Sequence, residues 1–254
     1  MIRLQIKCVN YKENNTPILS KDEIEKFAYD VLADYKPHLL KEPGAVGFEH
    51  FIESYLDIPL IFRDIYYDNP KSPIFGTTIF GKCVVNVFDF EEEDRRVKSE
   101  FFWEDSIIID NYVMQPGRQG MANSTGVHEG SHYLMHYGIT FPEKTRKILC
   151  RRENIEGAGN EQNIKNNWIE YQAYYFTSSF TMPNQTFIPL VHEFMREHGL
   201  YKKPIFLGDD DDLDIFAKDL LPQYISDVYC VSKRAAFNKL KSHGFIATEN
   251  YFKN

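Results

Sequence analysis

His128 and His132 constrain this chain more than any other residues, because they stand one helical turn apart. Within His128-Glu129-Gly130-Ser131-His132, both imidazoles project from the same helix face and can reach one ion. Glu129 lies about 100° round the helix from His128, close enough to touch a water beside that ion without binding it. Tyr133, Leu134, Met135 and Tyr137 then carry the helix to Gly138, a residue suited to stopping it. That apolar continuation predicts a largely buried helix. Two buried histidines without partners are costly, whereas two that bind a metal are satisfied.

This spacing is the H-E-x-x-H arrangement of zinc peptidases. Such a site needs a third protein ligand and keeps a fourth position open. The candidate source is a helix read from about 163 to 181 and stopped by Pro183. Trp168, Gln172, Tyr175, Phe176 and Ser179 share one stripe of it. Glu170 shares another face with Ala173, Tyr174 and Thr177. A small side chain beside a carboxylate suits two closely packed helices, so Glu170 is expected to reach across to the histidines.

His128-Glu129-Gly130-Ser131-His132, then Ile169-Glu170-Tyr171-Gln172-Ala173-Tyr174-Tyr175-Phe176 and Thr181-Met182-Pro183, resemble the ImmA/IrrE-like metallopeptidases. In that family a helix of pattern E-x-x-A-N-x-F-A, ending in L-M-P, donates the third ligand. Phe75-Gly76-Thr77-Thr78 and Val84-Val85-Asn86-Val87-Phe88-Asp89 resemble the sheet ahead of the motif helix. Residues 231–246 resemble the family's V-S-x-x-A-x-x-x-R-L-x-x-L-G helix. The resemblance covers most of the chain from about Ser20, and only the two metal-site segments are sharp. The chain departs from the pattern at Tyr174, where the family carries Asn or Asp to orient a zinc histidine. Thr177 also replaces an alanine. The polar stretch 139–163 reads as an inserted loop at a cleft mouth or as a surface excursion.

The expected chemistry is that of a cytoplasmic zinc endopeptidase. His128, His132 and Glu170 would hold Zn²⁺, and Glu129 would take a proton from the attacking water and return it to the leaving amine. Tyr174, His136 and Arg118, in that order, are the candidates for an oxyanion donor, and Tyr174 and His136 also for a partner of a zinc histidine. The resemblance implies a helix-turn-helix repressor of a mobile element or stress response as the protein substrate. The alternative reading is a metal-binding regulatory or sensor protein that keeps a zincin scaffold with little hydrolysis. Spacing alone leaves zinc and manganese both open, and it leaves the oligomeric state open.

Other suggestive segments fail on geometry. His192 and His198 are six residues apart, about 240° round a helix, and cannot share an ion. Phe187, Leu190, Val191, Phe194 and Met195 make that segment an amphipathic core helix ending at Gly199. Asp209-Asp210-Asp211-Asp212-Leu213-Asp214 lacks the alternating ligands and glycine of a calcium loop, and reads as an acidic loop with a helix N-cap. His136 continues the histidine face, so it either lines the cleft or sits as a cation at the helix end.

A length of 254 residues suits one domain with a small appendage, divided here as 1–200 and a helix-turn-helix-like 201–254. No apolar run approaches 18 residues, so no membrane span is expected. Cys8, Cys83, Cys150 and Cys230 are widely separated, as in a reducing cytoplasm. The net charge of −8 argues against a broad nucleic-acid surface. Lys233, Arg234, Lys239 and Lys241 are the exception, and their helix reads as a structural subdomain around Ala236, Phe237 and Leu240.

The remaining pattern predicts a strand near 2–9 and a helix opened by the capping box Ser20–Glu23. Ile24, Phe27, Ala28, Val31, Leu32 and Tyr35 form that helix's apolar stripe. A short helix is expected from Phe48 to Leu56, with extended segments at 59–66, 74–80, 83–88 and 106–109. Phe80-Gly81-Lys82 reads as a hairpin turn, 91–96 as a solvated loop, and the chain from Gln119 onward as almost wholly helical. The sum is an α+β, zincin-like fold with a small antiparallel sheet beside the motif helix and a helical C-terminal part.

Overall fold

Ser20 opens the first helix of the computed structural model, which describes residues 6, 8–90, 96–139, 146–151, 168–208 and 210–248. Its hydroxyl accepts from the Glu23 amide while the Glu23 carboxylate accepts from the Ser20 amide at 2.7 Å. Such a cap contributes about 1 kcal/mol. The helix, α1 (Lys21–Tyr35), buries Ile24, Phe27, Ala28, Val31 and Leu32, the expected stripe. The expected strand at 2–9 falls largely outside the described residues. A short helix α2 (Phe48–His50) continues as a π-helical turn, Phe51–Leu56.

Strands β1 (Leu60–Arg63), β2 (Ile74–Ile79), β5 (Ser106–Asp110) and β6 (Lys147–Arg151) form one sheet in the order β1-β5-β2-β6. It is mixed rather than purely antiparallel: β1 runs parallel to β5, while β2 runs antiparallel to both neighbours. Strands β3 (Cys83–Asp89) and β4 (Arg96–Phe102) form a separate antiparallel ribbon.

The expected hairpin at Phe80-Gly81-Lys82 is therefore corrected. Gly81 does turn the chain, with φ +90°, yet β2 and β3 do not pair. Both edges of β2 are already occupied by β5 and β6, which leaves β3 to pair with β4. The buried side of β3 (Cys83, Val85, Val87) packs with Ile65, Ile74, Ile79 and Ile108. Arg96, expected in a loop, begins β4, while 91–95 lie outside the described residues. The wholly helical reading after Gln119 is corrected too, since β6 and the short parallel pair β7 (Ile205–Phe206) and β8 (Ile246–Ala247) intervene.

Helix α3 (Gln119–His136) carries the histidine motif through the centre of the molecule, and every residue from Ala122 to His136 is buried. It has no solvent face, so its glycines serve close approach. A Cβ on Gly126 would stand 2.1 Å from Phe48 Cδ2, and one on Gly120 would stand 2.3 Å from the Val231 carbonyl oxygen. Gly126→Ala is expected to destabilise by about 1–3 kcal/mol through overpacking. Alanine's helix-propensity advantage of about 1 kcal/mol works the other way. A urea midpoint that stays level or rises would contradict this packing.

Helix α4 (Trp168–Thr181) lies against α1 and α3 and ends just before Pro183. Helices α5 (Asn184–Glu197), α6 (Asp211–Ile215), α7 (Leu221–Tyr229) and α8 (Lys233–Ser242) follow, with a π-helical turn at Phe216–Leu220. Phe187, Val191 and Met195 of α5 share a hydrophobic cluster with Leu221, Ile225, Tyr229, Leu240 and Phe245. That cluster begins at Met182, so α5 packs with the C-terminal part rather than with the sheet. The α7–α8 turn docks on α3, where the Asn123 amide donates to the Cys230 carbonyl at 2.9 Å.

Candidate metal centre

Helix α3 presents His128 and His132 side by side, and the first turn of α4 brings Glu170 against both. His128 Nε2 lies 3.0 Å from His132 Nε2 and 3.1 Å from Glu170 Oε2. His132 Nε2 lies 3.5 Å from Glu170 Oε1. A tetrahedral ion with ligands at about 2.0–2.2 Å sets neighbouring donor atoms roughly 3.3–3.6 Å apart. The three side chains already stand close to that spacing, near enough to bind one metal ion. The close approach comes from Ala173, fully buried one turn after Glu170, and from Ser131, whose hydroxyl donates to the His128 carbonyl at 2.6 Å.

Burial raises the Glu170 pKa, but His132 and the hydrogen bonds from both histidines outweigh it and hold the carboxyl well below its usual range. Burial in turn pushes His132 down, toward the neutral imidazole. The carboxylate and the two imidazoles are all buried, and a divalent cation between them would engage all three donor groups.

Glu129 points toward the sheet. Its Oε2 accepts from Thr78 Oγ1 of β2 at 2.6 Å. Gly76 makes room for it, because a Cβ there would stand 2.7 Å from Oε1. Burial raises the carboxyl well above its usual range, against hydrogen bonds from Thr78 and the Cys150 thiol. Cys150 is buried at β6 next to this glutamate.

The other candidates separate. His136 is fully buried and forms neither a cleft wall nor a cationic cap, so those two expectations are corrected. Its Nδ1 lies 2.9 Å from His132 Nδ1 and its Nε2 lies 2.9 Å from Gln172 Oε1. Burial pushes its pKa down to about 3, which keeps it neutral. Of Tyr174 and His136, the two residues expected as partners of a motif histidine, His136 is the one within hydrogen-bond distance of His132. The Tyr174 hydroxyl instead faces Asn238 and Arg234 of α8. Tyr174 also lines a cavity of about 20 Å³ with His128, Ser124, Thr177 and Ala235. That volume suits one water molecule.

Arg118 is out of reach: it donates to the Tyr112 carbonyl and Gln115 Oε1, and stacks on the Tyr112 ring at 3.5 Å. It precedes His128 by ten residues along α3, about 15 Å. His192 and His198 stay in α5 and its C-terminus, apart from the cluster of His128, His132 and Glu170. Asp210 caps α6, accepting from the amides of Asp212 and Leu213.

Sequence reasoning missed Gln172, Thr78 and Cys150. The i, i+4 ladder from His128 through His132 to His136 was the available signal for a longer relay, but nothing local pairs it with Gln172. No family model matches the chain, and no curated protein is matched either. The likeness to the ImmA/IrrE-like peptidases therefore rests on the motifs quoted above.

Proposed function

We propose that this chain is a zinc-dependent endopeptidase, with His128, His132 and Glu170 as the ligands and Glu129 as the general base. The observation that carries this reading is the trio of donor atoms from two helices, spaced 3.0–3.5 Å apart around one point. A bound divalent ion supplies the carbonyl polarisation and water acidification that peptide hydrolysis at neutral pH requires. The chain's own residues supply the rest. Glu170 and the histidines fix the ion's place; Glu129, whose carboxyl burial raises well above its ordinary range, exchanges a proton with water. Tyr174 lines the same small cavity as His128, which keeps it as the candidate for a developing oxyanion.

The substrate belongs to the same proposal: a helix-turn-helix repressor, as the resemblance implies. A cytoplasmic location belongs to it as well, and the four free cysteines support it. No described helix is long and apolar enough to cross a membrane. Lys233 is paired with Asp219 and Lys239 is buried, so two of the four C-terminal basic residues are engaged within the fold. That favours a structural role for α8 over DNA contact.

One observation favours the second reading, a metal-binding regulatory protein. Glu129 has no exposed surface and is held by Thr78, whereas a working base must meet water. Incubating the zinc-loaded chain with a repressor encoded beside its gene, and sequencing new N-termini, separates the two. Cleavage that a chelator stops and zinc restores supports the peptidase. Full zinc occupancy with no new N-terminus supports the regulatory protein.

A further inference from the structure

Strand β4 pairs with β3 alone, and among the described residues nothing pairs with its outer edge. The neighbours of β3 fix which backbone groups face that edge. The Asn86 carbonyl accepts from the Tyr66 amide at 2.9 Å, and the Phe88 amide donates to the Asp64 carbonyl at 2.7 Å, both on the side away from β4. Bonding alternates along an antiparallel pair, so Val85 and Val87 are the residues bonded to β4, opposite Glu100 and Lys98. Val97, Ser99 and Phe101 therefore turn their N–H and C=O groups to the open edge.

That edge is also apolar. Val97 and Phe101 are 47% and 48% exposed and Trp103 is 69% exposed, with the Phe101 and Trp103 rings 4.5 Å apart. An open edge strand with large apolar side chains templates another strand unless a charge blocks the approach. Lys98 is such a charge against most strands, but not against a second copy of β4. Antiparallel pairing about a two-fold axis at Ser99 sets Lys98 of each copy opposite Glu100 of the other, and Val97 opposite Phe101. Val97, Ser99 and Phe101 then fall at the hydrogen-bonded positions. Lys98 and Glu100 fall at the others, where facing side chains stand closest. Moving the axis by one residue sets Lys98 against Lys98 or Glu100 against Glu100. Glu100 accepts from Arg63 Nε through Oε2 at 2.8 Å, which leaves Oε1 to meet the lysine.

We propose that β4 is a homodimerisation edge, joining two copies of this chain about an axis at Ser99. The two ribbons then form one four-stranded antiparallel sheet. Val84 and Phe101 of one copy continue into Val97 and Phe88 of the other in a single row across it. The proposal is independent of the metal centre. A contact built on one short strand is small, so the dimer should be weak, with a Kd on the order of 10 µM.

Sedimentation equilibrium of the full chain between about 1 and 300 µM tests this. We expect the mass to rise with concentration from 29.8 kDa toward twice that value. Ser99→Pro removes an amide that points away from β3, so it should leave the fold intact by circular dichroism and the chain monomeric. Lys98→Glu and Glu100→Lys should each weaken self-association by about 10-fold, and mixing the two variants should restore a dimer, because each supplies the charge the other lacks. A wild-type chain that stays monomeric up to about 300 µM would overturn the proposal. So would a dimer that survives Ser99→Pro, or charge-reversed variants that associate no better together than apart. Should Ser99→Pro fail to fold, the charge-reversed pair decides alone.

Discussion

Glu170→Ala is expected to weaken zinc binding by about 10²–10³-fold. Structural zinc sites bind with roughly 10–16 kcal/mol, and three protein ligands sharing that energy leave several kcal/mol to each. Glu170 is also the charged member, and its loss leaves two neutral imidazoles. The effect on stability should differ with and without metal. In metal-free protein the variant removes a buried carboxylate that pairs with both histidines, which costs about 1–3 kcal/mol. With zinc at about 100 times its Kd, the wild type gains about 2.7 kcal/mol. For a chain of this size that is roughly 5–10 °C in Tm. The variant at the same zinc concentration should show almost none of that shift. Equal zinc-induced shifts in both proteins would remove Glu170 from the ligand set, and a metal-free loss well above about 3 kcal/mol would make its role structural.

Glu129→Gln should have the opposite signature. Metal content stays at the wild-type level, because Glu129 is not a ligand, while peptide hydrolysis falls by about 10²–10⁴-fold. The glutamine can still accept from Thr78. The pH dependence of metal-free stability gives an independent check. Burial raises the Glu129 carboxyl above its ordinary 4.5, so the folded chain keeps its proton after the unfolded chain has lost it. Below about pH 4 both states are protonated and the group has no effect on the balance. As pH rises beyond that, the unfolded state is increasingly favoured, until the folded-state pKa is passed. The Gln variant lacks this term. Its stability relative to the wild type should therefore climb with pH above about 4.5 and level off at higher pH. A variant that loses zinc along with activity would place Glu129 among the ligands instead.

The site was more legible than the sheet around it, for physical reasons. Spacing along a helix fixes which side chains share a face, so His128 and His132 could be paired from sequence, and the Glu170–Ala173 face pointed to the third member of the cluster. The Ser20–Glu23 box and the stripe of α1 were local signals of the same kind. Strand pairing is not local. The alternation in 83–88 correctly marks β3, yet nothing in it says that β2 has both edges filled, one of them by β6 from a polar stretch read as a loop. The burial of α3 on every side leaves it without a polar face. Only its glycines hint at that, through neighbours that are distant in sequence. Gln172 fell on a different stripe from Glu170, and it meets both His136 and the Pro17 carbonyl, the latter 155 residues away along the chain.

The measurement that bears most directly on the metal centre is elemental analysis of the wild-type chain, purified without added metal and again after exposure to zinc and removal of the excess. We predict about one divalent ion per chain, held by His128, His132 and Glu170. A chain that stays metal-free after exposure to zinc would contradict the metal site and the peptidase reading built on it.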